Sequence, residues 1–298
     1  MKKYLILTLI AFALIFFAGC SKENDVPVGV PPKPVSPSSD VEEDTVSVPL
    51  DTLKEYADRG SSMWELLQYI LKDRFIVYKG AGGKWQYTPI DPALAKAEYD
   101  WNNLVEIKTA PRELSYVEDG ETKSIKGIDV SRYQGEIDWE KVAGDGVEFV
   151  FVRLGYRGYE TGKIVVDERF EENVKGAIEN GIHTGVYFVT QAVNVAEAVE
   201  EAQFVIEVIK DYDITWPIVL DIEDAASATA RTAEMTQEQR TDCAVAFCET
   251  VRESGYTPML YCNIRWFVEK LDIYRIQDYQ KWFAQYFSRP FFPYDFQI

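Results

Sequence analysis

From residue 126 onward the sequence alternates between short apolar runs and amphipathic stretches, and this alternation limits the fold more than any other feature. The apolar runs, such as Phe-Val-Phe-Val at 149–152, are continuous rather than interrupted at every second position. Continuous apolar strands are typical of parallel sheets that are covered on both faces. Strands are predicted over residues 127–130, 148–154, 184–190, 217–223 and 258–261, and helices over residues 139–144, 167–180, 195–210 and 237–254. This succession predicts an α/β fold, a modified (β/α) TIM-type barrel, with an open doubly wound sheet as the alternative.

The residues that close the strands favour the barrel. No glycine-rich phosphate-binding turn follows the first strand, as a doubly wound nucleotide-binding sheet would require. Acidic residues lie at the ends of two predicted strands instead. Asp129 lies at the end of the first strand, and Asp221 and Glu223 lie at the end of the fourth. Because the carboxyl ends of barrel strands form the active face, these three carboxyl groups are expected to lie at one end of the barrel.

Asp221 and Glu223 are two residues apart in a predicted strand, so their side chains should point to the same face. The strand rise separates them by about 6.6 Å. Paired carboxyl groups perform glycoside hydrolysis, with separations of about 5–5.5 Å in retaining enzymes and about 6.5–9.5 Å in inverting ones. The spacing therefore indicates a glycosidase but leaves its stereochemistry open.

Four segments in the same order give a more specific indication. They are Gly-Ile-Asp-Val-Ser-Arg-Tyr-Gln-Gly-Glu-Ile-Asp-Trp at 127–139, Val-Phe-Val-Arg-Leu-Gly-Tyr at 150–156, Gly-Val-Tyr-Phe at 185–188 and Asp-Ile-Glu at 221–223. Over residues 126–298 the chain resembles glycoside hydrolase family 25, the lysozyme-like N-acetylmuramidases. The resemblance implies cleavage of the β-1,4 bond from N-acetylmuramic acid to N-acetylglucosamine in peptidoglycan.

The resemblance also implies roles for individual residues. Glu223 would be the general acid, with a pKa raised by Asp221 and by partial burial. Asp221 and Asp129 would oppose the positive charge of the transition state or orient the acetamido group. The residues expected to line the sugar groove are Tyr156, Tyr187, Tyr261, Asn263 and Trp282.

Two other functions compete with this hypothesis. A catalytically impaired envelope protein that only binds glycan is the main alternative, and the presence of all three acids argues against it. A chitinase-like hydrolase fits poorly, because Trp216 and Val219 stand where that family needs acids. The resemblance weakens at the end of the chain, where a sixth strand at 281–286 and the opening of another at 296–298 are predicted. We therefore expect a barrel that is truncated at its C-terminus.

The N-terminus is typical of a bacterial lipoprotein. Residues 1–20 combine Lys2 and Lys3, an apolar run at 4–17 and the sequence Ala-Gly-Cys that ends at Cys20. The run of about 14 residues is shorter than the roughly 20 needed to span a bilayer as a helix. The ending resembles a lipobox, which implies a cleaved signal peptide, lipidation of Cys20 and an exported protein anchored to a membrane of the cell envelope.

Between the signal and the barrel, two further regions are predicted. Residues 21–50 form a proline-rich linker, since residues 21–49 hold six of the 13 prolines and no aromatic residue. Residues 51–120 form a small α+β leader domain of unknown function, with a hairpin at 75–87 and tryptophans that we expect to pack in its core. The barrel occupies residues 121–298.

Composition excludes several classes of function. A net charge of −18 argues against a nucleic-acid partner. The only histidine, His183, begins its strand and so lies away from the active face, which argues against a histidine-based site; we expect no metal and no cofactor. Cys243, Cys248 and Cys262 have no metal-binding spacing and are expected to be small buried hydrophobic residues.

Overall fold

The computed structural model describes residues 4–6, 46–58, 60–109, 112–225, 227–286 and 290–298. These residues fall into two units, one extending to Leu66 and the other from Leu67 to Ile298. Cys20, the signal peptide beyond residue 6 and residues 21–45 of the linker lie outside the described residues. Of the helices in the described part of the chain, none has both the length and the apolar character needed to cross a membrane.

The first unit contains a short strand pair and the start of the helical region. Strand β1 (Tyr4–Ile6) pairs antiparallel with β2 (Ser47–Pro49), and helix α1 (Leu50–Asp58) follows at once. Helix α2 (Met63–Leu71) begins in this unit and continues into the second. A capping box explains its start: the Ser62 hydroxyl accepts from the Glu65 backbone amide at 3.3 Å, and the Glu65 carboxylate accepts from the Ser62 amide at 2.8 Å.

In the second unit, two antiparallel sheets precede the parallel strands. β3 (Phe75–Lys79) and β4 (Trp85–Pro89) form a hairpin where the sequence predicted one. Its turn needs Gly82 and Gly83, which have φ angles of 72° and 74°. A second sheet of three strands, which the sequence did not predict, follows. It consists of β5 (Leu104–Thr109), β6 (Arg112–Glu118) and β7 (Glu121–Thr122).

The second unit is built around a largely parallel sheet. Its strands are β8 (Gly127–Val130), β9 (Phe149–Arg157), β10 (Ile164–Val166), β11 (His183–Val189), β12 (Ile218–Asp221), β13 (Pro258–Asn263) and β14 (Gln280–Ala284). Six of them are parallel neighbours in the order β8-β9-β11-β12-β13-β14, and β10 pairs antiparallel with the carboxyl end of β9. Every strand predicted from the alternation is present, and β10 is the one that the sequence did not reveal.

Helices connect the parallel strands, as in other α/β folds. They are α3 (Trp139–Gly144), α4 (Phe170–Glu179), α5 (Val195–Ile209), α6 (Gln237–Glu253) and α7 (Ile273–Ile276), with a π-helical turn at Trp266–Lys270. A capping box of Thr236 and Gln239 begins α6. The four predicted helices are all present, with ends within about three residues of the prediction.

The sheet is strongly curled. Phe151 of β9 and Trp282 of β14 are separated by four strand spacings, or about 19 Å in a flat sheet. Their ring centroids are 5.0 Å apart. Within the described residues β14 does not pair with β8, so the strands form an open half-barrel rather than a closed TIM barrel. Beyond β14, the Gln297 and Ile298 amides donate to the Lys281 carbonyl at 3.0 and 3.2 Å, which continues the sheet in the segment where a further strand was predicted.

Strand alternation gives the sheet two apolar faces. The outer face, which includes Val150 and Val152, packs on the helices, and the fully buried Phe247 of α6 belongs to the same cluster. The inner face is a smaller cluster of Phe149, Phe151, Val219 and Met259. Gly127 is required beside this cluster, because a Cβ atom there would lie 2.0 Å from the Phe149 ring. The three C-terminal cysteines are free and buried, as predicted.

The segment before β5 packs on the end of the chain, within the second unit. The Ala97 amide donates to the Pro293 carbonyl at 2.9 Å, and the Asp295 amide donates to the Ala95 carbonyl at 3.0 Å. Trp101 stacks on Phe296 with centroids 5.7 Å apart. Trp101, one of the leader tryptophans, therefore packs against the end of the chain.

Candidate active site

A pocket of about 690 Å³ opens at the carboxyl ends of the parallel strands. This is the end at which parallel α/β sheets place their functional groups. Seven of the eight residues that the sequence selected for the barrel site line it: Asp129, Tyr156, Tyr187, Asp221, Glu223, Tyr261 and Trp282. His183, at the opposite end of β11, is absent from the lining, in agreement with its predicted position.

Strand register explains why the acids meet. Asp129 is paired with Phe151, and Asp221 is paired with Tyr261, so each acid lies at the top of the inner face. Glu223 lies two residues beyond the end of β12, with Ile222 buried between the two acids. Asp221 is buried, whereas Asp129 and Glu223 are exposed to the pocket. The chain therefore presents one buried and two accessible carboxyl groups on one side of the sheet.

The surroundings favour the protonated form of all three acids. Burial raises the pKa of Asp221 well above its ordinary value, and the charges of Glu223 and Asp129 raise it further. Partial desolvation also raises the pKa of Asp129 and of Glu223. A hydrogen bond from Tyr261 acts in the opposite direction on the Glu223 pKa. Among the described atoms, Asp221 Oδ1 is buried and has no hydrogen-bond partner.

A buried ion pair, which sequence reasoning missed, lies beside the acids. Arg153 points to the inner face of β9, and its Nε and Nη2 atoms lie 2.6 and 2.5 Å from Oδ2 of the fully buried Asp167 carboxylate. The guanidinium lowers the pKa of Asp221, opposing the effect of burial. An arginine at an inward position of an apolar strand was the available signal, since Phe149, Phe151 and Arg153 alternate along β9.

A second buried network supports the wall of the pocket. Arg157, which is 5% exposed, donates from Nε to Glu201 at 2.6 Å and from Nη2 to Glu200 at 2.8 Å. The other Glu201 oxygen accepts from the Thr190 hydroxyl at 2.6 Å, just past β11. Arg157 Nη1 donates to the Gly162 carbonyl at 2.8 Å. These bonds join β9, the β9–β10 loop, the end of β11 and helix α5.

Aromatic side chains form much of the remaining lining. Tyr261 and Trp282 pack edge to face, with centroids 4.7 Å apart, and Trp282 stacks on the Phe151 ring beneath it. Tyr133 and Tyr286, which the sequence analysis did not select, also line the pocket and are 73% and 92% exposed. Exposed aromatic faces at a pocket edge suit stacking on sugar rings.

Asn263 is the one selected residue that the structure does not bring to the pocket. Its Oδ1 atom accepts a hydrogen bond from the Trp266 backbone amide at 3.2 Å, at the start of the π-helical turn. Its side chain therefore stabilises the local backbone rather than lining the pocket. In the described part of the chain, no group of three or more histidine, cysteine or acidic side chains has an arrangement that could hold a metal ion.

Comparison with known proteins gives one family and several distant relatives. The family described as Glycosyl hydrolases family 25 matches residues 128–295. The uncharacterized protein YegX of Escherichia coli K12 is 28% identical over 173 residues, which cover 56% of this chain and 58% of YegX. Lysozyme M1 of Streptomyces globisporus is 29% identical over 124 residues, which cover 41% of this chain and 40% of that protein.

Among solved structures, a family 25 glycosyl hydrolase from Bacillus anthracis aligns with a TM-score of 0.47 and 22% identity, covering 59% of this chain and 76% of the other. The chain spans less than two thirds of the length of the curated relatives named above.

Proposed function

Because the chain belongs to glycosyl hydrolase family 25, we propose that it hydrolyses peptidoglycan at the β-1,4 bond between N-acetylmuramic acid and N-acetylglucosamine. The observation that carries this proposal is the meeting of Asp129, Asp221 and Glu223 in one pocket lined by aromatic side chains. Paired carboxyl groups are the usual machinery of glycoside hydrolysis. The similarity to a protein named lysozyme supports the same substrate class.

Glu223 is the general acid in this proposal. It is accessible to a substrate in the pocket, and its raised pKa keeps a larger fraction of the carboxyl group protonated as the pH approaches neutrality. A protonated carboxyl group at this position can donate its proton to the glycosidic oxygen as the leaving sugar departs. The Tyr261 hydroxyl, which donates to Glu223, would stabilise the carboxylate that remains.

Asp221 and Asp129 would act on the sugar ring that develops positive charge. The more accessible Asp129 would oppose the charge of the oxocarbenium-like transition state. The buried Asp221, with its unpartnered Oδ1 atom, would hydrogen-bond to the acetamido group of the same sugar. Tyr156, Tyr187 and Trp282 would complete the groove.

The first experiment measures reducing-sugar release from purified peptidoglycan by the wild type, Glu223→Gln and Glu238→Gln. Glu238 is an exposed acid in the first turn of α6, away from the pocket, and serves as the matched control. We expect Glu223→Gln to lose about 10²- to 10⁴-fold in kcat, the usual contribution of general acid catalysis, while the control retains wild-type activity.

Two results would contradict the proposal. Release by Glu223→Gln equal to that of the wild type would reject the role of Glu223, and binding of peptidoglycan without release by the wild type would favour a glycan-binding protein. Borohydride reduction of the products, followed by mass spectrometry, identifies the bond that is cut. Reduced muramic acid at the new ends is expected, and reduced glucosamine would refute the muramidase assignment.

We further propose that the protein is exported and anchored to a membrane of the cell envelope through lipid on Cys20. The proposal is supported by the charged residues, apolar run and Ala-Gly-Cys ending of residues 1–20. Labelled palmitate should be incorporated into the wild type and not into Cys20→Ala. Equal labelling of the two proteins, or labelling of neither, would contradict the anchor.

A further inference from the structure

The pocket contains an arginine whose charge is not neutralised by a neighbouring carboxylate. Three arginines line the pocket: Arg132, Arg153 and Arg157. Arg153 is paired with Asp167, and Arg157 is paired with Glu200 and Glu201. Arg132 forms no ion pair with any described residue, and its pKa is raised chiefly by its hydrogen bond with Tyr133, with the charge of Glu168 as the smallest contribution. The polar contact of its guanidinium is a bond from Nη2 to the Tyr133 hydroxyl at 3.4 Å.

The backbone that carries Arg132 is held firmly. Ser131 and Gln134 form a capping box around the turn Arg132–Gln134, and Gly135 ends it with a φ of 68°. The Arg132 amide also donates to the buried Asp167 carboxylate at 3.2 Å. The base of the side chain is therefore fixed, while the guanidinium lies on the Tyr133 ring at 5.0 Å from its centroid.

The position of this cation complements the acids. Asp129, Asp221, Glu223 and Asp224 all line the pocket, and each of them repels an anionic ligand when it is ionised. Arg132 follows β8, and Glu223 follows β12, three strand spacings away or about 14 Å measured along the sheet. Because two other strands lie between β8 and β12, a glycan with its reacting bond at Glu223 would meet Arg132 with a group other than that bond.

We propose that Arg132 binds a carboxylate carried by the glycan strand and thereby selects muramic acid-containing strands over neutral ones. This inference rests on the proposed function. Muramic acid bears a lactyl carboxyl group, which is free where the stem peptide has been removed and amidated where it is present. Stem peptides carry carboxylates of their own. The shared chemistry is a carboxylate facing a guanidinium, for which arginine offers a bidentate pair of donors.

The test is a binding measurement in the full chain carrying Glu223→Gln, so that no turnover interferes. Calorimetry measures the affinity of three proteins, which carry Arg132, Arg132→Lys or Arg132→Gln, for three glycan fragments. The first fragment has no peptide and a free lactyl carboxylate, the second is the same fragment with that carboxylate converted to a primary amide, and the third carries a stem peptide. We expect Arg132→Gln to weaken binding of a carboxylate-bearing fragment about three- to tenfold, with added salt reducing the difference. Arg132→Lys, which retains the charge, should recover part of the affinity.

The three fragments show which carboxylate binds to Arg132 and which results would overturn the inference. If Arg132→Gln loses affinity only for the peptide-free fragment with its free carboxylate, the lactyl group is the ligand. If it loses affinity only for the peptide-bearing fragment, the ligand is a carboxylate of the stem peptide. Equal loss on the amidated fragment would show that Arg132 acts through Tyr133 packing and would overturn the inference, as would no loss on any fragment or no binding of any fragment. Failure of the proposed function alone would appear differently, as normal binding with no sugar release by the wild-type chain.

Discussion

Replacing Arg157 by glutamine should destabilise the fold strongly, because it leaves a buried carboxylate without its cation. The Glu201 side chain is 0% exposed, and without Arg157 its remaining described side-chain partner is the Thr190 hydroxyl at 2.6 Å. Breaking a buried ion pair by removing one partner typically costs about 3–5 kcal/mol. We expect a loss of that size in the free energy of unfolding of Arg157→Gln at neutral pH.

The same arginine provides a matched control. Glu200 also pairs with Arg157, at 2.8 Å, but its side chain is 62% exposed. Exposed ion pairs contribute at most about 1 kcal/mol, so Glu200→Gln should cost less than that. Urea denaturation of both variants and the wild type, followed by circular dichroism, gives the two losses under identical conditions.

The pH dependence of the loss provides a further check. Desolvation already raises the Glu201 pKa, and the hydrogen bonds and charge of Arg157 act to lower it. Removing Arg157 therefore raises the Glu201 pKa further in the folded state. A raised carboxyl pKa means that stability is lost as the pH rises through it. The deficit of Arg157→Gln should grow with pH and shrink in mild acid. Losses equal to those of Glu200→Gln, or independent of pH, would refute the reasoning.

Two further predictions concern the inner face. Asp221→Asn should be more stable than the wild type at neutral pH, because the raised Asp221 pKa means that ionisation of this carboxyl group destabilises the fold. The advantage should disappear as the pH falls toward about 4, and unfolding curves that show a constant difference across this pH range would contradict the prediction. Gly127→Ala should cost about 1–3 kcal/mol through its clash with Phe149, while Gly144→Ala in α3, where a Cβ atom meets nothing within 4 Å, should cost nothing; equal melting temperatures for the two variants would count against the packing argument.

The parallel strands were predictable because their sequence pattern and their environment agree. Runs such as 149–152 are apolar at every position, since one face packs on helices and the other fills the inner cluster. β10 could not be found in the same way. It is three residues long, pairs antiparallel with β9 and has two exposed valines, so neither burial nor a repeating unit marks it. The three-stranded sheet β5-β6-β7 was missed for a similar reason, since Val105 and Ile107 are exposed.

The candidate site also contains some residues that could be predicted from the sequence and others that could not. Residues at strand ends could be placed from topology, because parallel strands bring their carboxyl ends together, and this places Asp129, Asp221, Tyr187 and Tyr261. Asn263 also lies at the end of a strand, yet its side chain accepts a hydrogen bond from the backbone amide three residues later. A strand pattern does not reveal such a bond. Asp167 and Glu201, the partners of Arg153 and Arg157, lie 14 and 44 residues away along the chain. These ion pairs depend on how helices and loops pack, which the pattern of the sequence does not reveal.

The curl of the sheet links the packing of this chain to the chemistry of its acids. Phe151 is the β9 neighbour of Asp129, Val219 precedes Asp221 by two residues, and Met259 precedes Tyr261 by two. The apolar inner cluster therefore lies directly beneath the polar layer. The curl brings the rings of Phe151 of β9 and Trp282 of β14 into contact, and desolvation is the largest cause of the raised pKa values of the three acids. The same packing that buries the inner face thus raises the pKa of Glu223, the proposed general acid.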